Sequence, residues 1–210
     1  MKLRHLESHL ENVERFKEPK IALEQYVTSP HIAACMIHTA ETRYNDISGK
    51  VVADLGCGCG VLSIAASLME CDFCFSIDID EDALEICYQN CEEFEACNID
   101  LIQADVAFAT EIVGKSNRNI DTVIMNPPFG TKNNQGVDMM FLNIASKMAK
   151  HTIYSLHKTS TRSHVFRKAK EFGLQAEVVA ELRYDLPSSY KFHKSRTKDI
   201  EVDFIRFEIV

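Results

Sequence analysis

From Lys50 onward the sequence alternates short apolar, β-branched runs with stretches of helical spacing, and that alternation leaves few architectures open. Residues 51–55 read as a buried strand, 61–69 as a helix, 73–78 as a strand and 81–95 as a helix. Strands at 100–103, 122–125 and 152–156 follow, separated by helices near 106–113, 138–150 and 161–172. Strands joined by crossover helices lie parallel, so the expectation is an α/β sheet with helices on both faces. The ending differs: 176–182 and 200–209 are strand-like with no clear helix between them, which predicts a seven-stranded, mostly parallel sheet with an antiparallel C-terminal strand. At 210 residues the chain is expected to form one domain, with an N-terminal helical segment over 1–49 and the core over 50–210. In that first segment Leu3, Leu6, Leu10 and Val13 recur at helical spacing, and a second helix is expected over 30–42.

Composition narrows the class of function. Apolar residues make up 46% and charged residues 26%, and no stretch approaches the roughly 20 apolar residues of a membrane-spanning helix, so no membrane partner is expected. The N-terminus lacks the continuous apolar run of a secretory signal. Most of the eight cysteines fall inside predicted strands and helices, which suits reduced thiols inside a cell better than a disulfide framework. Cys71 and Cys74, or Cys87 and Cys91, have the spacing of zinc half-sites, but neither pair is set among turn-forming residues. They read as small core residues, and no metal is expected. A net charge of −8 opposes nucleic-acid binding if it is evenly spread. It is not: 150–198 holds 11 Lys and Arg against Glu171, Glu177, Glu181 and Asp185, a stretch able to face phosphates.

The first predicted strand runs into Asp54-Leu55-Gly56-Cys57-Gly58-Cys59-Gly60 and opens a helix. Its glycines, spaced G-x-G-x-G, let backbone pass close to a ligand at the carboxyl edge of the sheet. A dinucleotide fingerprint would be spaced G-x-G-x-x-G, so that reading is set aside. The second strand ends at Asp78, placed to accept ribose hydroxyls, and the third leads to Asp105 and Val106. Acids at successive strand ends repel phosphate and suit a nucleoside that carries an amino acid. The bland alternative is that Asp78 and Asp105 only cap the helices that follow.

After the fourth strand comes Asn126-Pro127-Pro128-Phe129-Gly130. An amine conjugated to a purine attacks a methyl donor slowly unless its geometry is biased. The side-chain oxygen of Asn126 and the carbonyl of Pro127 can accept its two N–H bonds, the prolines stiffen the backbone, and Phe129 offers a stacking face. Such chemistry needs positioning and electrostatics rather than a charged base. His157, at a strand end, is therefore read as structural.

These paired motifs resemble the class I, Rossmann-like methyltransferases whose Asn-Pro-Pro-aromatic tetrapeptide acts on planar nitrogens. Longer strings, including 23–28, 52–63, 78–84, 126–134, 154–158 and 183–187, resemble the methyltransferase-like protein 5 family almost end to end. The resemblance implies an S-adenosyl-L-methionine-dependent enzyme that forms N6-methyladenosine in 18S ribosomal RNA. It also implies a heterodimer with a small zinc-containing activator, found in the nucleus, nucleolus included, and in the cytoplasm. By resemblance, Gln25, Thr28, Gly56, Cys59, Val61, Asp78, Asp105 and Val106 would line the cofactor site, with Asp54, Gly58, Gly60 and Asn126 beside them, and 25–28 would form a lid. Lys132, in a turn-rich stretch, and Tyr190, Lys191, Phe192, His193 and Lys194, where aromatics alternate with cations, are the residues expected to meet RNA. A sheet ending at strand 100–103 would leave an unpaired edge for the partner. Two alternatives stay open: glutamine-N5 methylation of a release factor, against which the lack of an extra N-terminal helical domain speaks, and a non-catalytic cofactor-binding scaffold.

Overall fold

The structure, a computed structural model, describes residues 1–116, 118–130, 134–187 and 197–210. Seven strands form one sheet: β1 (Val51–Leu55), β2 (Phe73–Asp78), β3 (Ile99–Gln103), β4 (Ile120–Met125), β5 (Ala149–Lys158), β6 (Leu174–Pro187) and β7 (Thr197–Ile209). Their order across the sheet is β3-β2-β1-β4-β5-β7-β6. The first five are parallel to one another, whereas β7 lies antiparallel between β5 and β6, as the sequence predicts. β3 is an edge strand, also as expected.

Alternation along the strands divides the core in two. Val52, Ile124, Tyr154 and Leu156 face one layer, built from α1 (Leu3–Leu10), α2 (Pro30–Tyr44) and α3 (Val61–Leu68). Ala53, Leu55, Val123, Met125 and Ile153 face the other, with α5 (Ala109–Gly114), α6 (Val137–Met148) and α7 (Arg162–Glu171). α4 (Glu81–Glu93) packs beside α3 and β2. Among the described residues no helix is long and apolar enough to cross a membrane.

Several elements differ in extent from their periodicity: β5, β6 and β7 run longer than the expected 152–156, 176–182 and 200–209, and three helical stretches end or break early. Helical spacing continues to Val13, but α1 stops at Leu10, and the chain then crosses the sheet edge as a strap before Ser29 caps α2 by accepting from Ile32 N. The helix expected over 138–150 ends at Met148, because Ala149 pairs with Ile120 of β4 and ladder pairing overrides further helical turns. The helix near 106–113 is broken into a 3₁₀ turn, Val106–Phe108, and the short α5.

Candidate cofactor and methyl-transfer site

Register brings the motifs together. Leu55, the last residue of β1, pairs with Ile77 of β2 on one side and Met125 of β4 on the other. Gly56, Asp78 and Asn126 therefore leave three adjacent strands at the same carboxyl edge. They border a cavity of about 270 Å³ that extends under the strap.

Eleven expected residues line this cavity: Gln25, Thr28, Asp54, Gly56, Gly58 and Cys59, with Val61, Asp78, Asp105, Val106 and Asn126. Of the tetrapeptide, Pro128 joins Asn126 in the wall, whereas Pro127 and Phe129 are buried behind it. Phe129 sits edge-on to Tyr184, ring centroids 5.9 Å apart, within the core. Gly60 also stands behind the wall, as the left-handed residue (φ +83°) that turns the loop into α3. Lys132 and Tyr190, Lys191, Phe192, His193 and Lys194 lie outside the described residues.

The glycine loop is a close-approach surface. Gly58 N donates to Asp78 Oδ2 at 2.8 Å, and a Cβ on Gly58 would lie 3.2 Å from Phe16 of the strap. Asp78 Oδ1 accepts from Asp80 N at 2.9 Å, and Asp105 Oδ1 accepts from Ala107 N at 2.9 Å. Asp105 thus both caps the 3₁₀ turn and faces the cavity, since each carboxylate oxygen has two lone pairs, whereas α4 is capped by Asp80 and the capping reading does not hold for Asp78. Burial pushes the Asp78 carboxyl above its ordinary range, only partly offset by the backbone donors. Asp54 is buried more deeply, and burial raises it to about 7. Its Oδ2 accepts from Ser63 at 2.6 Å, while Oδ1 is buried without a hydrogen-bond partner among the described residues.

The strap is pinned over this wall. Lys20 Nζ reaches Asp80 and Asp82, and Gln25 Nε2 donates to the second oxygen of Asp80. Between those two anchors, Asn134 Nδ2 donates to Ala22 O at 3.1 Å and Glu24 Oε1 at 3.0 Å, tying the strap to the residues before α6. Asn126 Nδ2 donates to Thr28 Oγ1 at 2.9 Å and to Tyr184 OH at 3.3 Å, and Asn126 Oδ1 is buried with no partner among the described residues.

Sequence reasoning missed Phe16, Leu62, Asn134, Met140 and Phe141 in the wall, and Tyr184 behind it. Phe16 follows a helix whose periodicity masks where it ends, and Met140 and Phe141 carry only an amphipathic helix signal. Tyr184 belongs to a string that carries the family resemblance, yet nothing local to it points to a residue 58 positions away. The basic third is partly consumed internally: Arg162 pairs with the fully buried Asp203 at 2.6 Å and with Glu181, and Lys168 pairs with Glu171. Cys71, Cys74 and Cys87 are buried free thiols.

Comparison with known proteins agrees with this geometry. The methyltransferase small domain family matches residues 33–161. The chain is 59% identical over 207 residues to the rRNA N(6)-adenosine-methyltransferase METTL5 of Danio rerio, covering 99% of both chains. It is 53% identical over 210 residues to Mettl5 of Drosophila melanogaster, covering 100% of this chain and 97% of that one. A crystal structure from Pyrococcus horikoshii superposes with a TM-score of 0.85 at 31% identity, covering 99% of this chain and 98% of the other.

The methyl donor is S-adenosyl-L-methionine, and the residues present fit it. The unpartnered Asp54 oxygen matches an ammonium, Asp78 a ribose, and the glycine loop a close-lying chain that carries no phosphate. Its near full-length relatives, with the matching methyltransferase domain, place the chain in the methyltransferase-like protein 5 family of S-adenosylmethionine-dependent RNA adenine-N6 methyltransferases.

Proposed function

We propose that the protein methylates N6 of an adenosine in small-subunit (18S) ribosomal RNA. The observation that carries this reading is the buried, unpartnered Oδ1 of Asn126 beside the cofactor cavity. A buried acceptor left empty costs free energy, and a purine amine supplies the missing donor. The relatives from zebrafish, fly and Caenorhabditis elegans are all rRNA N(6)-adenosine-methyltransferases, which supports ribosomal RNA as the substrate class.

When bound, S-adenosylmethionine supplies an electrophilic methyl carbon on a sulfonium. Asn126 Oδ1 and the Pro127 carbonyl accept the two N–H bonds of the adenine amine and hold the nitrogen lone pair towards that carbon. Methyl transfer to that nitrogen would leave the donor as a neutral thioether and the alkylated nitrogen with one proton to shed to water, so Asn126 and Pro127 would position the amine and no residue would have to act as a base. Asp54, Asp78 and Asp105 hold the donor, and the strap keeps water from it.

Lys132, Tyr190, Lys191, Phe192, His193 and Lys194 are proposed to meet the RNA. A small zinc-containing activator is proposed to dock on the free edge of β3, because an unpaired parallel strand invites a further strand. The complex is proposed to act in the nucleus, nucleolus included, and in the cytoplasm. Incubating the chain and activator with labelled S-adenosylmethionine and separated ribosomal RNAs tests this reading. Label is expected on N6 of adenosine in the small-subunit RNA and is expected to vanish with Asn126→Ala. Label only on a release-factor glutamine, or none on RNA, would overturn it.

A further inference from the structure

We propose that Tyr184 is a positioning residue for methyl transfer: its hydroxyl fixes which end of the Asn126 amide faces the substrate amine, and it does so only while the strap is closed. The inference rests on the role given to Asn126 above.

An asparagine amide is nearly symmetric in shape and opposite in hydrogen bonding, so a half-turn exchanges donor for acceptor. A turned Asn126 would present N–H bonds to an amine whose own N–H bonds must be held. The tetrapeptide itself contains nothing that selects one orientation. The Tyr184 hydroxyl has one proton, and it donates to the Val27 carbonyl at 3.0 Å, with the Tyr26 carbonyl also within reach at 3.4 Å. Its remaining lone pairs face Asn126 and accept from Nδ2 at 3.3 Å. A half-turn would set Asn126 Oδ1 against an oxygen with no proton to give.

Thr28 accepts the other Nδ2 proton at 2.9 Å and also hydrogen-bonds to the Tyr184 hydroxyl, but its own hydroxyl rotates and can serve either orientation of the amide. Tyr184 is therefore the group that decides. Its ring is held independently of the hydroxyl, since Tyr184 is only 2% exposed and packs edge-on to Phe129. Val27 and Thr28 both belong to the strap. Lifting it removes the acceptor for the Tyr184 proton and one acceptor for the Asn126 amide together, so the amide is set only when the strap lies over the cavity.

The test uses the full chain with activator, S-adenosylmethionine and ribosomal RNA, and the variants Tyr184→Phe, Thr28→Val and Asn126→Ala. Tyr184→Phe keeps the ring and is expected to leave the melting temperature and the Kd for S-adenosylmethionine near wild type. Its kcat is expected to fall roughly tenfold to a hundredfold with little change in KM for RNA, the scale of one lost hydrogen bond. In ¹⁵N-labelled protein, the side-chain amide protons of Asn126, identified by their absence in Asn126→Ala, are expected to lose their hydrogen-bonded shift in Tyr184→Phe. Thr28→Val is expected to cost less kcat than Tyr184→Phe. Unchanged kcat and unchanged Asn126 amide resonances in Tyr184→Phe would overturn the inference, as would a larger loss in Thr28→Val. If Tyr184→Phe proves unstable, the amide resonances recorded below its melting point still decide. Activity retained in Asn126→Ala would instead remove the role of Asn126 itself, an outcome distinct from an inactive Asn126→Ala beside a normal Tyr184→Phe.

Discussion

Ser63 donates its hydroxyl proton to Asp54 Oδ2 at 2.6 Å, and Ser76 donates in turn to Ser63 at 2.7 Å, so a buried relay holds one oxygen of a carboxylate whose other oxygen has no partner among the described residues. Burial raises the Asp54 carboxyl from 3.8 to about 7; the hydrogen bond from Ser63 opposes that rise and the nearby Asp78 charge adds to it. A carboxyl raised by folding contributes stability in full below its unfolded value, and loses that contribution as pH climbs through the folded one. Asp54→Asn is accordingly expected to match wild-type stability near pH 4 and to exceed it at pH 8, read from urea midpoints. An ammonium brought to Oδ1 favours the carboxylate, so binding of S-adenosylmethionine expels a proton. Affinity is expected to rise towards pH 7 by up to about tenfold per unit, and to be flat in Asp54→Asn. Calorimetry in two buffers of different ionisation enthalpy measures the proton directly, and zero release at pH 6 would sink the pairing.

Lys20 bridges Asp80 and Asp82 across the mouth of the cavity, and Gln25 completes the clasp. Burial pushes the Asp80 carboxyl up, but the hydrogen bonds from Lys20 and Gln25 outweigh it and leave Asp80 below its ordinary value. A depressed carboxyl contributes stability above its unfolded value and loses it as pH falls, so the clasp is closed at neutral pH and opens in acid. Lys20→Met is expected to weaken S-adenosylmethionine binding and to speed amide exchange over residues 14–28. Because Lys20 is exposed, the difference from wild type is expected to shrink in 1 M salt, about where screening falls to 3 Å. Equal exchange in the two proteins would show that the strap is held by packing alone.

Much of this site was legible in the sequence because its parts are local. Gly56, Asp78, Asp105 and Asn126 each sit at the end of a run whose periodicity marks a strand, and parallel pairing brings strand ends to one edge. What periodicity does not carry is contact between distant segments. Phe16 over Gly58, Asn134 on the strap and Tyr184 on Asn126 join positions from 42 to 112 residues apart. Extents were misread for a related reason: ladder pairing of Ala149 with Ile120 ended α6 where helical spacing alone continues.

Gly60 turns the loop into α3 at φ +83°, and a Cβ there would run into Cys87 Sγ. Gly60→Ala therefore meets two separable costs, left-handed backbone strain of roughly 1–2 kcal/mol and a clash. Adding Cys87→Gly removes the clash and leaves the strain. Denaturation is expected to show a large loss in Gly60→Ala and partial recovery in the double variant relative to Cys87→Gly alone. Full additivity would mean that Cys87 moves aside without cost.

Phe129 is only 9% exposed and packs on Tyr184 behind the cavity wall, so any stacking on a target base requires its ring to be met from the substrate side rather than from the cofactor side. Two substitutions separate its packing from its stacking. Phe129→Ala removes a core ring and is expected to cost about 3–5 kcal/mol of stability, enough to obscure any effect on catalysis. Phe129→Leu preserves most of the buried apolar volume and is expected to lose far less stability. It lacks a π face, so if the ring stacks on adenine the activity of Phe129→Leu should fall by the equivalent of about 1–3 kcal/mol. That loss should come with unchanged affinity for S-adenosylmethionine, because Phe129 does not line the cofactor cavity. Near-normal turnover in a folded Phe129→Leu would assign the ring to apolar packing behind Asn126, with neither stacking on the base nor its edge-on contact with Tyr184 needed for catalysis.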